Sequence, residues 1–232
     1  MSVNWTMPST RRTLRAPAAG ALLALAAAVP ATAANERPKV RLTPAGQTAA
    51  KSAVMTRADL HVPRGWTGGA VKPAVLPFPP CPGFHPKQAD LVLNGVAEST
   101  FRHDSGIGFN TVAQVLKTAK MVRLDWQRTV LDPLVARCLR YRMVQDARSS
   151  KYTFISLKPL AFPRVTRFTR AYRVIYDDRT RSEKVRIFLD LVSFGRGRTE
   201  VIMSTTGPLI GADAVLDAEI RLAQILVARA RV

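Results

Sequence analysis

Histidine, cysteine and acidic side chains are scarce in this 232-residue chain, and each scarcity removes a class of function. The three histidines, His61, His85 and His103, are never paired at metal-ligand spacing and read as surface residues, so no metal and no other cofactor is expected. The two cysteines, Cys81 and Cys138, are too few for a zinc site without histidines clustered beside them. No serine sits in a Gly-x-Ser-x-Gly elbow and no glycine-rich loop follows a strand pattern, which removes the common hydrolase and nucleotide-binding signatures. Aromatics make up only 7% of the chain, and Phe168, Tyr172 and Tyr176 alternate like one packing face of a strand instead of a platform for stacked bases. Nucleic acid is therefore a disfavoured partner. The nearest thing to an acid/base pair is His103 beside Asp104, although neighbours along a strand face opposite ways.

What the chain has in excess is positive charge: 35 Lys+Arg stand against 16 Asp+Glu, a formal net charge of +19. Arginine outnumbers lysine 26 to 9, a bias that an arginine-rich genome would also produce. The basic residues cluster at Arg137, Arg140 and Arg142, at Arg164, Arg167, Arg170 and Arg173, and around a hairpin tip at Arg179, Arg181, Lys184 and Arg186. Of these, Arg179, Arg181 and Arg186 form the candidate anion-binding site. Its expected partners are an acidic envelope polymer, an anionic lipid or a small ligand, the charged ones drawn in by field and counterion release.

The amino terminus carries its own compositional signature. Arg11, Arg12 and Arg15 precede the Ala/Leu-rich run from Ala16 to Val29, and Ala31-Thr32-Ala33 supplies small residues for cleavage, so residues 1–34 read as a signal peptide. Thr10 to Leu14 resembles a twin-arginine signal, but paired arginines are common in ordinary signals, and general secretion is the expected route. The apolar run is too short for a permanent anchor, so the mature form is expected to be extracytoplasmic with no transmembrane segment. Export favours oxidation, and an even cysteine count then makes Cys81–Cys138 a disulfide.

After a flexible leader, residues 35–44, residues 45–232 read as one α+β domain. The spacing of Ala49, Ala53, Val54 and Ala58 predicts a helix from Ala45 to Leu60, with Trp66 as a core plug behind it. Prolines dominate Val71 to Pro86 and predict a surface-crossing loop. Asp90 to His103 predicts a strand bulged at Asn94-Gly95, and Phe109 to Leu116 its partner. Helices are predicted from Lys117 to Leu131 and from Asp132-Pro133 to about Ala147, the second turning Cys138 and Tyr141 inward. Strands follow at Tyr152 to Leu160, Arg167 to Asp177 and Lys184 to Phe194. The last continues through Gly195 and Gly197, both expected to supply positive φ, into a strand carrying Val201 and Met203. One face of that hairpin is expected to be dry and the other half covered. The chain closes with a helix from Ala212 to Ala230, its Asp213, Asp217 and Glu219 placed to suit the helix dipole. The architecture expected is a mainly antiparallel twisted sheet of about six strands covered by helices, with the C-terminal helix packed on the sheet.

The export signal, Ala58-Asp59-Leu60 followed by Gly65-Trp66, the helix-borne Cys138 and the arginine-containing closing helix resemble secreted actinobacterial sensor-domain-like proteins related to kinase extracellular sensor domains and the PsbP-like fold. That resemblance implies a ligand-binding or sensory α+β domain without catalysis. The function expected is thus an exported, non-enzymatic binding module of the cell envelope with a groove between sheet and helices. A secreted hydrolase using His103 or Asp104 is the alternative.

Overall fold

A computed structural model describes residues 37–60, 64–73, 81–148, 150–179 and 185–230. The expected signal peptide, His61, Arg181, Lys184 and residues 74–80 of the proline-rich segment lie outside the described residues.

The apolar alternation between Val185 and Pro208 folds into a hairpin of β7 (Val185–Arg196) and β8 (Thr199–Pro208), paired from Ile187↔Pro208 to Arg196↔Thr199. Gly197 turns the chain at φ 59°, a conformation that disfavours any residue with a Cβ. Gly195 is not a second turn glycine and has no positive φ. It matters for a different reason: a Cβ there would come within 3.0 Å of Trp126 Nε1 and 3.4 Å of Val122, so its bare backbone lets a helix lie close on the strand.

The sheet has eight strands, not about six. Its order is β1 (Lys39–Val40), β3 (Val92–His103), β4 (Gly108–Leu116), β8, β7, β6 (Phe168–Asp178) and β5 (Tyr152–Pro159), with β2 (Trp66–Val71) paired alongside β3. The two additions are short and carry weak strand signals. Lys39 and Val40, inside the segment read as a leader, pair parallel with Val92 and Leu93. Trp66, read as a plug behind a helix, starts β2, whose Thr-Gly-Gly-Ala centre lacks the β-branched alternation that marks a strand. Every other pairing is antiparallel, and the expected bulge appears as a register shift between Leu93 and Gly95.

Four helices cover the sheet on both faces. Thr43 caps α1 (Pro44–Ser52), its Oγ1 accepting from Gly46 N–H at 3.1 Å, and α1 ends earlier than expected. A separate 3-10 turn at Arg57–Asp59 follows, leaving Ala58 exposed. With α4 (Ala212–Arg229), α1 covers one face, where Ala50, Met55, Phe101, Val192, Met203 and Leu226 are nearly sealed from solvent. On the other face α2 (Ala119–Arg128) sets Val122 and Trp126 against Leu93 and Leu116, while α3 (Val135–Arg148) sets Ala147 against Val174, Tyr176 and Leu189. The two faces of β7 are reversed from expectation: Phe188, Asp190, Val192 and Phe194 are buried, whereas Ile187, Leu191 and Ser193 on the opposite face are only part-buried. Among the described residues no helix is long and apolar enough to cross a membrane.

Cys81 and Cys138 are bonded, with Cα atoms 5.4 Å apart, inside a small cluster with Phe84 and Val135. Tyr141, expected to point inward, stays 40% exposed at the margin of this cluster, which is too small to cover a further turn of α3. The bridge spans 57 residues, and loop entropy of that length is worth roughly 4 kcal/mol to the folded state. Reduction of the protein is expected to lower its melting temperature by ten degrees or more, read by circular dichroism. Alkylation of the denatured but unreduced protein is expected to label neither cysteine, and labelling of both would show that the bridge does not form.

Candidate functional site

Three places draw attention: a groove at the tip of the β7–β8 hairpin, a set of sealed carboxyls, and the residues singled out from the sequence.

The groove lies where four elements end together. Gly195 and Gly197 of the hairpin line it, with Val165 ahead of β6 and Phe168 at its first position. Ala119, the first residue of α2, and Val227, in the last turn of α4, close the sides of a space of about 410 Å³. Arg167 and Arg196 stand at its rim. The Arg167 guanidinium lies over the Phe168 ring, 4.6 Å from its centre. Arg196 Nη1 donates to the Val227 carbonyl at 3.3 Å, so it ties the hairpin tip to the exposed C-terminal carbonyls of α4. Neither arginine belongs to any ion pair among the described residues. The groove therefore holds two cations with donors to spare, at the N-terminus of α2, where aligned peptide dipoles add positive potential.

Beneath α4 the interior is acidic. Asp190, fully buried on β7, takes a bidentate contact from Arg173 on β6, with Nε to Oδ1 at 2.7 Å and Nη2 to Oδ2 at 2.6 Å. Glu219 on α4 comes down onto the same spot, beside Asp190 and Thr205, with both carboxyl oxygens sealed and without a well-formed hydrogen bond. Burial first, and the Asp190 charge second, push the Glu219 carboxyl up to about 8. Burial also raises Asp190, against the opposing pull of Arg173. One guanidinium serves two carboxyls here, so one of them stays protonated at neutral pH. A second sealed pair lies beneath α2, where Gln88 Nε2 donates to Asp125 Oδ1 at 3.1 Å and Glu200 on β8 faces Asp125. Burial raises both carboxyls, Glu200 far above its ordinary range. These groups have no route to solvent, so they set stability and not chemistry.

Sequence reasoning missed them, yet a signal was present. Glu219 shares its helical face with Val215, Leu222, Ala223 and Leu226, and the first three of these spacings are one turn. Read as a charge suited to the helix dipole, it is instead buried at 0% exposure. Asp190 likewise alternates with Phe188 and Val192 on a buried face.

Of the arginines proposed as an anion site, Arg179 donates to the carbonyls of Ser150 and Ala147 and so caps the end of α3. Arg186 lies at the same end of the sheet, paired with Asp177 at 3.3 Å, while Arg181 is outside the described residues. His103 Nδ1 contacts Ser105 Oγ at 2.8 Å and its ring packs beside Trp66, at 5.0 Å between centres. His103 and Asp104 do not face opposite ways. Both border Gly65, whose absent Cβ would fall 2.7 Å from His103 Nε2 and 3.4 Å from Asp104 Oδ2, because Asp104 has already left the strand. No group of three or more metal-ligating side chains exists among the described residues.

No family model and no curated protein matches the chain. An X-ray structure of an uncharacterized protein from Mycobacterium smegmatis is 14% identical, covering 79% of this chain and 97% of that one, with a TM-score of 0.40. A likeness of that size carries no argument about either fold or function.

The sealed Glu219 gives the protein a definite pH dependence. Its folded-state value of about 8 exceeds the 4.5 of the unfolded chain, so the folded state binds the extra proton between these limits. Stability is then fully present below about pH 4.5 and falls as pH rises through 8. At about 1.4 kcal/mol per unit, the loss is on the order of 5 kcal/mol. Replacing Glu219→Gln is expected to flatten this slope and stabilise the protein at pH 8, measured by urea unfolding at a series of pH values. A variant that keeps the wild-type slope would place the titrating proton elsewhere.

Proposed function

We propose that this chain is an extracytoplasmic, non-enzymatic binding module that holds a small anionic ligand in the groove between Phe168, Ala119 and Val227. The observation that carries the reading is the pair of guanidinium groups, Arg167 and Arg196, on the rim of a concave space with no carboxylate to neutralise them. At about 410 Å³ the groove falls in the size range of small-molecule sites, which favours a small ligand over the acidic polymer also considered. The leader at residues 1–34, the disulfide and the resemblance to secreted sensor-domain-like proteins support an envelope location. Positions Arg179 and Arg186 support anion binding less well, because Arg179 serves two backbone carbonyls and Arg186 is paired with the Asp177 carboxylate.

The hydrolase alternative draws on the convergence of His103 and Asp104 at Gly65. It is the weaker reading, because His103 Nδ1 is occupied by Ser105 within the same turn and an exposed hairpin end offers no enclosure for a reacting group.

The test is calorimetric titration with inorganic phosphate and acetate at low salt. The double variant Arg167→Gln/Arg196→Gln is expected to bind at least tenfold more weakly, since each charge-assisted hydrogen bond contributes about 1.5–3 kcal/mol. Arg179→Gln/Arg186→Gln is expected to bind as the wild type does. Loss of binding in the second variant but not the first would move the site to the other end of the sheet.

A further inference from the structure

We propose that the ligand of this groove is an anionic amphiphile, a single acyl chain ending in a carboxylate or phosphate. The head would sit between Arg167 and Arg196, and the chain along Val165, Phe168 and Ala119. This inference rests on the binding-module reading and adds the chemical class of the ligand.

The groove combines two cations, Arg167 and Arg196, with a lining that is otherwise the apolar side chains of Val165, Phe168, Ala119 and Val227, glycine backbone and one threonine. Two features leave the cations poised for a head group. The Phe168 ring fixes the position of the Arg167 guanidinium without consuming its hydrogen bonds, since the contact is with the ring face. Arg196 spends one donor on the Val227 carbonyl and keeps the remainder of its five. A carboxylate or phosphate between them would gain charge-assisted hydrogen bonds from the donors that remain, and neither arginine has a carboxylate partner among the described residues.

A purely polar ligand leaves the walls against water. The one hydroxyl in the lining belongs to Thr166, and it is committed, donating to the Phe168 carbonyl at 2.8 Å and accepting from the Phe168 N–H at 3.1 Å. No free side-chain hydroxyl, amide or carboxylate among the lining residues can read the hydroxyls of a sugar acid or a wall glycan. Burial of methylenes against Val165 and Phe168 would instead remove apolar surface from water on both sides. A neutral lipid fails on the opposite count, because it offers nothing to two guanidinium groups. The space is also the right size: at roughly 30 Å³ per water-sized group, 410 Å³ takes about a dozen heavy atoms, a medium chain with its head projecting to the rim.

Carboxylate and phosphate heads share the chemistry that the arginines recognise, so the experiment uses both. The full-length mature protein is titrated calorimetrically, below micelle concentration, with dodecyl phosphate and laurate, and in parallel with inorganic phosphate, acetate and dodecanol. The expected result is at least tenfold tighter binding of each chain-bearing anion than of its chainless counterpart, with dodecanol weaker than both. Arg167→Gln/Arg196→Gln and Ala119→Trp, the second placing an indole in the groove from an exposed helix end, are each expected to weaken dodecyl phosphate tenfold or more. The tighter of the two head groups then identifies the source of the ligand. Equal affinity for inorganic and dodecyl phosphate, lost together in the arginine variant, overturns the amphiphile while leaving an anion-binding module. Failure of the folded protein to bind any of the anions overturns both readings. Tight chain binding that ignores the arginine and Ala119 variants also overturns the proposal, since the chain would then lie elsewhere.

Discussion

The pairing of β4 with β8 is the contact on which the molecule depends. Strands β1 to β4 form one group and β5 to β8 another, and they become a single sheet only because Gly108–Val115 lies against Thr199–Thr206. Some ninety residues separate the two partners, so the closure is costly in chain entropy and must be repaid by what it buries. The repayment comes from both faces. Ala113, Val201 and Met203 complete the core under α1 and α4, and Leu116 joins Val122 and Trp126 under α2. With β4 and β8 unpaired, the core under α1 and α4 would be open along that seam, and α2, which packs on β3 and β4, would lose its contact with β8.

Covering a central strand on both faces carries a penalty when that strand is polar. Within β8, Thr199, Glu200, Ser204 and Thr205 are all buried, and each has a side-chain atom without a hydrogen-bond partner. Buried polar groups in that condition cost stability, and they are retained where something compensates. Here the compensation is partial: Arg173 neutralises Asp190, and protonation of Glu219 removes the charge that Arg173 cannot balance. An apolar residue at position 219 would pack without that penalty. The acid's presence makes the seating of α4 depend on a proton, and α4 is fixed at its other end by Arg229, whose guanidinium grips Asp59. Burial pushes the Asp59 carboxyl up, but hydrogen bonds from Arg229 and Thr56 outweigh it and hold it below its ordinary range. The helix thus has one end held by a robust ion pair and a middle held by a proton.

Much of this architecture was legible in the residues. The alternation in β3, β4, β6 and β7 and the wide apolar stripe of α4 fixed those elements to within a residue or two, because burial on a pleated or helical face imposes a period that sequence displays. The missing strands were illegible for the opposite reason. Lys39–Val40 is too short to show a period, and Trp66–Val71 has two glycines at its centre, so both exist by pairing with β3 and not by local preference. The candidate site was illegible for a third reason. Arg167 and Arg196 belonged to a crowd of arginines that nothing local could rank, and Arg179 stood out at a turn although its guanidinium serves only to cap α3. What separates them is tertiary placement: Arg167 and Arg196 line one groove, Arg196 spending a single donor on a carbonyl, while Arg179 serves two carbonyls at the far end of the sheet.

That criterion also explains why the groove sits where it does. The hairpin tip projects between the beginning of α2 and the end of α4, so a positive and a negative helix end flank the same space. Left alone, the two ends would cancel and the groove would be electrostatically neutral. Arg196 breaks the balance by donating to the Val227 carbonyl, which covers part of the negative end and leaves the N-terminus of α2 unopposed. Arg167, held flat on Phe168, then adds a full charge on the same side. Gly195 is the residue that makes this possible, because only a bare backbone lets Trp126 bring α2 close enough for its first turn to form a wall. The positive character of the groove is thus built by position, from two arginines and one helix end, and not by the overall charge of the chain.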